Sequence, residues 1–244
     1  MKNFICVYDF ETDGSNQEIC EPVQLASCMI NPTTLDIVPD SEFKSYMRPN
    51  GIDDKDYFDR VNETIHWHAR NYEPKYDEMD QEGKNTEAKK IFEKWKNAPH
   101  QYQVFNDFAT YISKYNINQS RKSKFTAPVR AGHNILRFDD IILNRKCKEF
   151  KLVSKEGEQK IFNPRDVIDI LQMAFYWFES LPEPKAYNML ELRNFFGMSQ
   201  EGAHDALCDV RDEAKIIQKF MKLHRATAHK VRFKGAMARK SNGS

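Results

Sequence analysis

The sequence lacks any run of about 18 apolar residues, the length that a membrane-spanning helix requires, so no transmembrane segment is expected. No secretory leader is expected either, because the chain enters an apolar strand pattern directly at Phe4. Its five cysteines are odd in number and form no Cys-x-x-Cys pair, which argues against a disulfide framework and a structural zinc site. Together these absences predict reduced thiols and an intracellular protein, cytoplasmic or nuclear.

Acidic residues are scarce in two segments of the chain, although the formal net charge of the whole chain is only +1. Basic residues outnumber acidic ones between Arg121 and Lys151, and no carboxylate follows His224. Such clusters suit a polyanion, because neutralised phosphates release their condensed counterions. A solvated face with a flexible tail is the other interpretation. The 40% hydrophobic and 30% charged fractions of the 244 residues are typical of a soluble globular protein and allow one sizeable core.

Hydrophobic periodicity predicts a mixed α/β domain over residues 1–224. Apolar runs bounded by turn residues indicate strands at 4–8, 23–30, 43–47, 127–132 and 165–168. Helical spacing follows at 139–150, 169–179, 189–196 and 205–224. Strands first, then strand–helix alternation, predict a five-stranded mixed sheet flanked by helices. Residues 52–103 read as a helical insertion in the same domain, because no separate apolar core is evident. Residues 225–244 are predicted to be a basic, disordered tail.

Acidic side chains stand at the ends of several predicted elements. Asp9 and Glu11 are separated by one residue near the end of the first strand, so both carboxylates leave the same face of the sheet. Two such charges repel each other unless a cation lies between them, and hard oxygen ligands favour Mg²⁺ or Mn²⁺. A lone Asp-x-Glu pair is weak evidence, since exposed strands often carry one.

Two further segments carry candidate ligands. Asp139 follows His133-Asn134-Ile135-Leu136-Arg137-Phe138 at a strand exit, where a carboxylate also suits a helix N-terminus; Asp140 is its competitor. His204 precedes Asp209 by five residues at the start of the last helix. Asp209 lies in an otherwise apolar stretch, where an unpaired charge is costly, and this placement favours a ligand.

In order and spacing these blocks resemble the DEDDh group of DnaQ-like 3′→5′ exonucleases, whose blocks are Asp-x-Glu, aromatic-Asp and His-x-x-x-x-Asp. The likeness to bacterial exonuclease I-type enzymes extends to residues 165–169 and 203–206. The tyrosine subgroup of the family has Tyr four residues before the last Asp, where this chain has Asp205. The resemblance therefore implies the histidine subgroup and a ribonuclease-H-like fold.

The resemblance implies two Mg²⁺ or Mn²⁺ ions, roughly 3.5–4 Å apart, that clamp the attacking and leaving oxygens. Asp9 is expected to bridge both ions, Glu11 and Asp209 to complete the first, and Asp139 to hold the second. His204 is the expected general base.

Candidate substrate-binding residues lie within the same blocks: Phe10, Thr12, Asn134 and Phe138. Two interpretations of Phe10 and Phe138 are open: each is a core residue, or each provides a face on which a terminal base stacks. The family's usual apolar wedge against the terminal base is missing, because Ser15 stands in its place. The expected partner is single-stranded nucleic acid, DNA more than RNA. An inactive nucleic-acid-binding module on the same fold and a metal-dependent nucleotide phosphohydrolase are the alternatives.

Overall fold

A computed structural model describes residues 3–117, 124–200 and 205–228 of the chain. Five strands form one sheet in the order β3-β2-β1-β4-β5. The pairs β1–β2 and β2–β3 are antiparallel, whereas β1–β4 and β4–β5 are parallel. The strand bounds are Ile5–Thr12 (β1), Pro22–Ile30 (β2), Phe43–Tyr46 (β3), Val129–Gly132 (β4) and Val167–Asp169 (β5). The predicted mixed five-stranded sheet flanked by helices is confirmed.

The helices fall into two groups, those of the insertion and those that cover the sheet. Their bounds are Tyr57–Arg60 (α1), Asn62–Tyr72 (α2), Gln81–Lys96 (α3), Gln101–Ser113 (α4), Asp139–Glu149 (α5), Ile170–Phe178 (α6), Met189–Phe195 (α7) and Ala206–Ala228 (α8). No helix among the described residues is both long and apolar enough to cross a membrane.

The central strand β1 alternates between two apolar clusters. Cys6, Tyr8 and Phe10 join the cluster of α4 and α5, whereas Ile5 and Val7 join the cluster of α6 and α8. Because side chains alternate along a strand, Asp9 and Glu11 continue the row of Val7 toward α8. All nine residues of β2 are buried, since both faces of the sheet are covered.

β1 is longer than predicted. It was expected to end near Tyr8, but Asp9 and Glu11 remain in the antiparallel ladder, opposite Ala26 and Gln24 of β2. The apolar run ends at Tyr8, so hydrophobicity alone placed the boundary too early. The two carboxylates thus project from a rigid strand instead of a loop.

Apolar residues of the insertion form a buried cluster that includes part of the sheet. Trp95, Ile65 and Ala88 are at most 1% exposed and pack together between α2 and α3. Val23 of β2 belongs to the same cluster. The insertion is therefore fixed against the sheet next to the start of β2.

The last helix extends beyond its predicted end. α8 continues to Ala228, so residues 225–228 of the predicted tail are helical. The Arg225 guanidinium donates to the backbone carbonyls of Thr33 and Pro32, which attaches this last turn to the end of β2. Residues 229–244, the remainder of the predicted tail, lie outside the described residues.

Candidate metal centre

Three carboxylates meet where β1 faces the N-terminal turn of α8. One ligand oxygen from each of Asp9, Glu11 and Asp209 lies within 4.8 Å of the others. Asp9 and Glu11 come from one face of β1, and Asp209 from the first turn of α8. Oxygens this close can bind one cation, because Mg²⁺ and Ca²⁺ ligands stand about 2.0–2.6 Å from the ion.

Asp139 adds a fourth carboxylate at the start of α5. It is only 3% exposed, and its Oδ1 accepts a hydrogen bond of 3.0 Å from the backbone N–H of Phe10. That bond places its carboxyl group beside β1 between Asp9 and Glu11. Among the neighbouring charges, Asp139 contributes most to raising the pKa of Asp9.

The adjacent Asp140 has a different role. Its carboxylate accepts 2.8 and 2.9 Å bonds from the Arg130 guanidinium and a 2.8 Å bond from the Tyr8 hydroxyl. These partners balance a charge that is 4% exposed. Asp140 is thus part of a buried structural network, whereas Asp139 faces the acidic cluster.

Proton affinity in the cluster is abnormally high. Burial first, and then the neighbouring carboxylates, raise the pKa of Asp9 and that of Glu11 well above the ordinary range. Burial raises the pKa of Asp139 to about 7. Such groups either hold protons or need a cation among them. An all-oxygen set of this charge fits a hard divalent ion such as Mg²⁺ or Mn²⁺.

Arg193 of α7 is a neighbour of the site that the sequence did not reveal. Its buried guanidinium donates to Asp209 Oδ1 at 2.6 Å and to Asp212 Oδ2 at 3.0 Å. The bond fixes the orientation of the Asp209 carboxylate. No motif flags Arg193, since its position depends on the packing of α7 against α8.

His68 of α2 approaches the site from the insertion. It is 2% exposed, its Nε2 lies 2.8 Å from the carbonyl oxygen of Thr12, and its Nδ1 lies 3.9 Å from Glu11 Oε2. His66 contacts Tyr76 instead, so the two histidines diverge as expected for residues two apart on a helix. The insertion therefore supports the end of β1 that carries Glu11.

A groove of about 490 Å³ opens beside Glu11. Its walls include Thr12, Ser15, Trp67 and Phe138. Three of the four candidate substrate-binding residues, Phe10, Thr12 and Phe138, line it. Trp67 of α2 is 41% exposed at this groove and belongs to none of the motif blocks.

Phe10 and Asn134 also have structural roles. The Phe10 ring is 4% exposed and stacks on Phe105 at 5.8 Å, on the opposite face of β1 from the carboxylates, and so it is mainly a core side chain. Asn134 has a positive φ of 54°, and its backbone N–H donates to Asp169 Oδ1 at 3.0 Å. It forms the sharp exit from β4. His204, the expected base, lies outside the described residues.

Comparison with known proteins identifies relatives in structure only. No family model and no curated protein matches the sequence. E. coli exonuclease I in complex with a dT13 oligonucleotide matches with a TM-score of 0.57 at 14% identity, over 97% of this chain and 45% of that chain. A zinc-ion-bound E. coli exonuclease I–ssDNA complex gives 0.57 at 15% identity, over 95% and 44%. Cell-death related nuclease 4 (CRN-4) gives 0.57 at 14% identity, over 91% and 64%.

The fold is that of the ribonuclease-H-like exonucleases. At 14–15% identity the likeness establishes the fold alone, and this chain spans less than half the length of those exonuclease I chains.

Proposed function

We propose that this protein is a metal-dependent 3′→5′ exonuclease that acts on single-stranded nucleic acid ends, DNA in preference to RNA. The proposed products are nucleoside 5′-monophosphates. The observation that carries the proposal is the meeting of Asp9, Glu11 and Asp209 oxygens within 4.8 Å, with Asp139 beside them, on an exonuclease fold. Phosphodiester hydrolysis is the chemistry that such a set of oxygen ligands serves.

Each carboxylate has a proposed role in holding the ions. Asp9, central in the cluster, would bind both; Glu11 and Asp209 would complete the first site, and Asp139 would contribute to the second. Two bound Mg²⁺ or Mn²⁺ ions would supply Lewis-acid stabilisation of the phosphate oxygens and an acidified water. Arg193 orients Asp209 for this role.

We further propose that His204 accepts the proton of the attacking water. Imidazole titrates near neutrality, which suits a general base at physiological pH. This role rests on the His-x-x-x-x-Asp pattern that ends at Asp209.

The groove beside Glu11 is the proposed position of the terminal nucleotide. Trp67 and Phe138 present aromatic surface in its walls, and a base can stack on such surface whatever its identity. Trp67 thereby supplies the apolar contact for which Ser15 is too small. Single-stranded DNA as substrate has support from the exonuclease I complexes named above, which contain a dT13 oligonucleotide and ssDNA.

The test is digestion of single- and double-stranded DNA and RNA oligomers, labelled at either end, with Mg²⁺, Mn²⁺ or EDTA. We expect mononucleotides released from the 3′ end of single-stranded DNA, no product in EDTA, and no product from Asp9→Asn. Binding without cleavage would identify an inactive binding module. Hydrolysis of mononucleotides but not oligomers would identify a nucleotide phosphohydrolase. Either result would refute the proposal.

A further inference from the structure

A fifth carboxylate, Glu213, is buried next to the acidic cluster and belongs to none of the three motif blocks. It lies one helical turn beyond Asp209 on α8, so both side chains project from the same face of the helix. It is 2% exposed, among buried apolar neighbours such as Val210 and Ile217. A charge in such surroundings is costly unless something compensates it.

Among the described residues, only one of the two carboxyl oxygens of Glu213 has a hydrogen-bond partner. Oε1 accepts a 3.2 Å bond from the backbone N–H of His133. Oε2 has no hydrogen-bond partner among the residues that the structure describes, although it is fully buried. Buried carboxylate oxygens seldom lack a partner, so a bound ligand is expected at Oε2.

The sheet register indicates where the Glu213 carboxyl group lies. Ala131 of β4 pairs in parallel with Val7 of β1, so His133, two residues further on, is level with Asp9. The strands approach closely here, since a Cβ on Gly132 would stand 3.1 Å from the carbonyl oxygen of Tyr8. A carboxyl group bound to the His133 N–H is therefore beside Asp9.

The electrostatics agree with this placement. After burial and Asp139, Glu213 is the next largest cause of the raised pKa of Asp9, ahead of Glu11. The pKa of Glu213 is itself raised well above its ordinary value by burial, then by Asp139 and Asp209. Glu213 thus interacts electrostatically with Asp9, Asp139 and Asp209.

We propose that Glu213 is an additional metal ligand, whose Oε2 joins Asp9 and Asp139 to form a second oxygen-lined cation position beside that of Asp9, Glu11 and Asp209. This inference rests on the proposed function, since it extends the same centre. A third protein carboxylate at the second position would replace a water ligand and tighten binding there.

Titration of Mn²⁺ into metal-free protein, followed by calorimetry and by the paramagnetic resonance signal of free Mn²⁺, tests the assignment. We expect two ions to bind wild-type protein. Glu213→Gln keeps a carbonyl acceptor for the His133 N–H. It should weaken the affinity for the second Mn²⁺ ion by about tenfold or more. The same variant should raise the melting temperature of the metal-free protein, because one repelling carboxylate is gone. Glu42→Gln is the matched control and should bind both ions normally, since Glu42 pairs with Arg211 at the surface.

A second variant separates ligation from charge. Glu213→Asp keeps the negative charge but shortens the side chain by one methylene. It should therefore also weaken the affinity for the second Mn²⁺ ion, but without the rise in metal-free melting temperature expected for Glu213→Gln. If both variants bind two Mn²⁺ ions with wild-type affinity, Glu213 is no ligand, and the exonuclease proposal is unaffected. If wild-type protein binds no Mn²⁺ and digests no oligomer, the proposed function itself is wrong.

Discussion

Asp139→Asn should abolish cleavage and yet stabilise the metal-free protein at alkaline pH. Burial raises the pKa of Asp139 from an ordinary 3.8 to about 7, a difference of about 3 units. At 1.36 kcal/mol per unit, ionising this group in the folded protein costs at most about 4 kcal/mol above pH 7. Asparagine carries no charge, and its Oδ1 can still accept the hydrogen bond from Phe10.

The sign of the pH dependence follows from the raised pKa. Between about pH 4 and pH 7 the folded protein retains the Asp139 proton and the unfolded chain has lost it. Stability of metal-free wild-type protein therefore falls as pH rises through this window and levels off above it. Asp139→Asn removes this contribution, so the gain should be near zero at pH 4 and approach its full value at pH 8.

The assay is urea denaturation in EDTA at pH 4 and pH 8, followed by circular dichroism. Asp140→Asn is the matched control one residue away. It should lower the free energy of unfolding at pH 8 by about 1–3 kcal/mol, because it removes the charged partner of the part-buried Arg130. Equal destabilisation by both variants at pH 8 would refute the separation of a ligand carboxylate from a structural one.

Further outcomes follow from other parts of the structure. Trp67→Ala should raise KM for a single-stranded oligomer by roughly 5- to 150-fold with a smaller change in kcat, whereas Trp67→Phe should retain most of the affinity, as steady-state kinetics will show. Trp95→Ala should lower the free energy of unfolding by about 3–5 kcal/mol in urea denaturation, because it empties the centre of the insertion cluster. A thiol reagent should label Cys208 first in the native protein, since the other four cysteines are buried. Mn²⁺ binding at pH 6 should release protons, measured by calorimetry in buffers of different ionisation enthalpy, because the ligand carboxylates have raised pKa values.

The sheet was predictable because short stretches with β-forming apolar residues stand between clear turn residues. The same periodicity placed Asp9 and Glu11 on one face, and the structure shows that face directed at α8. The end of β1 was not predictable, because backbone pairing with β2 continues after the apolar run stops. The insertion cluster was missed for a related reason: its apolar residues are spread at helical spacing among many charged ones.

The surroundings of the carboxylates required tertiary structure. Asp139 and Asp140 are the same residue type in adjacent positions, and only the packing of Arg130 and Tyr8 against one of them separates their environments. A signal for Glu213 was present, since it follows Asp209 by four residues on a helix with an apolar face. That spacing becomes meaningful only when α8 is known to pack on β1.

The placement of these carboxylates explains how a domain can hold such a costly cluster. α8 packs on the sheet through apolar side chains such as Val210, Ile217 and Phe220, which are at most 1% exposed. This packing does not involve the acidic side chains. Burial of this kind contributes about 1.5–3 kcal/mol for each large side chain, enough to offset the repulsion at one end of the helix. The apolar contacts thus fix α8 against β1, and the repulsion that remains is the energy that a bound cation would relieve. Stability and metal affinity therefore oppose each other at this site: replacing Asp9, Asp139 or Glu213 by its amide should make the metal-free protein more stable and the centre a weaker cation ligand. Asp209 is the exception, because it pairs with the buried Arg193.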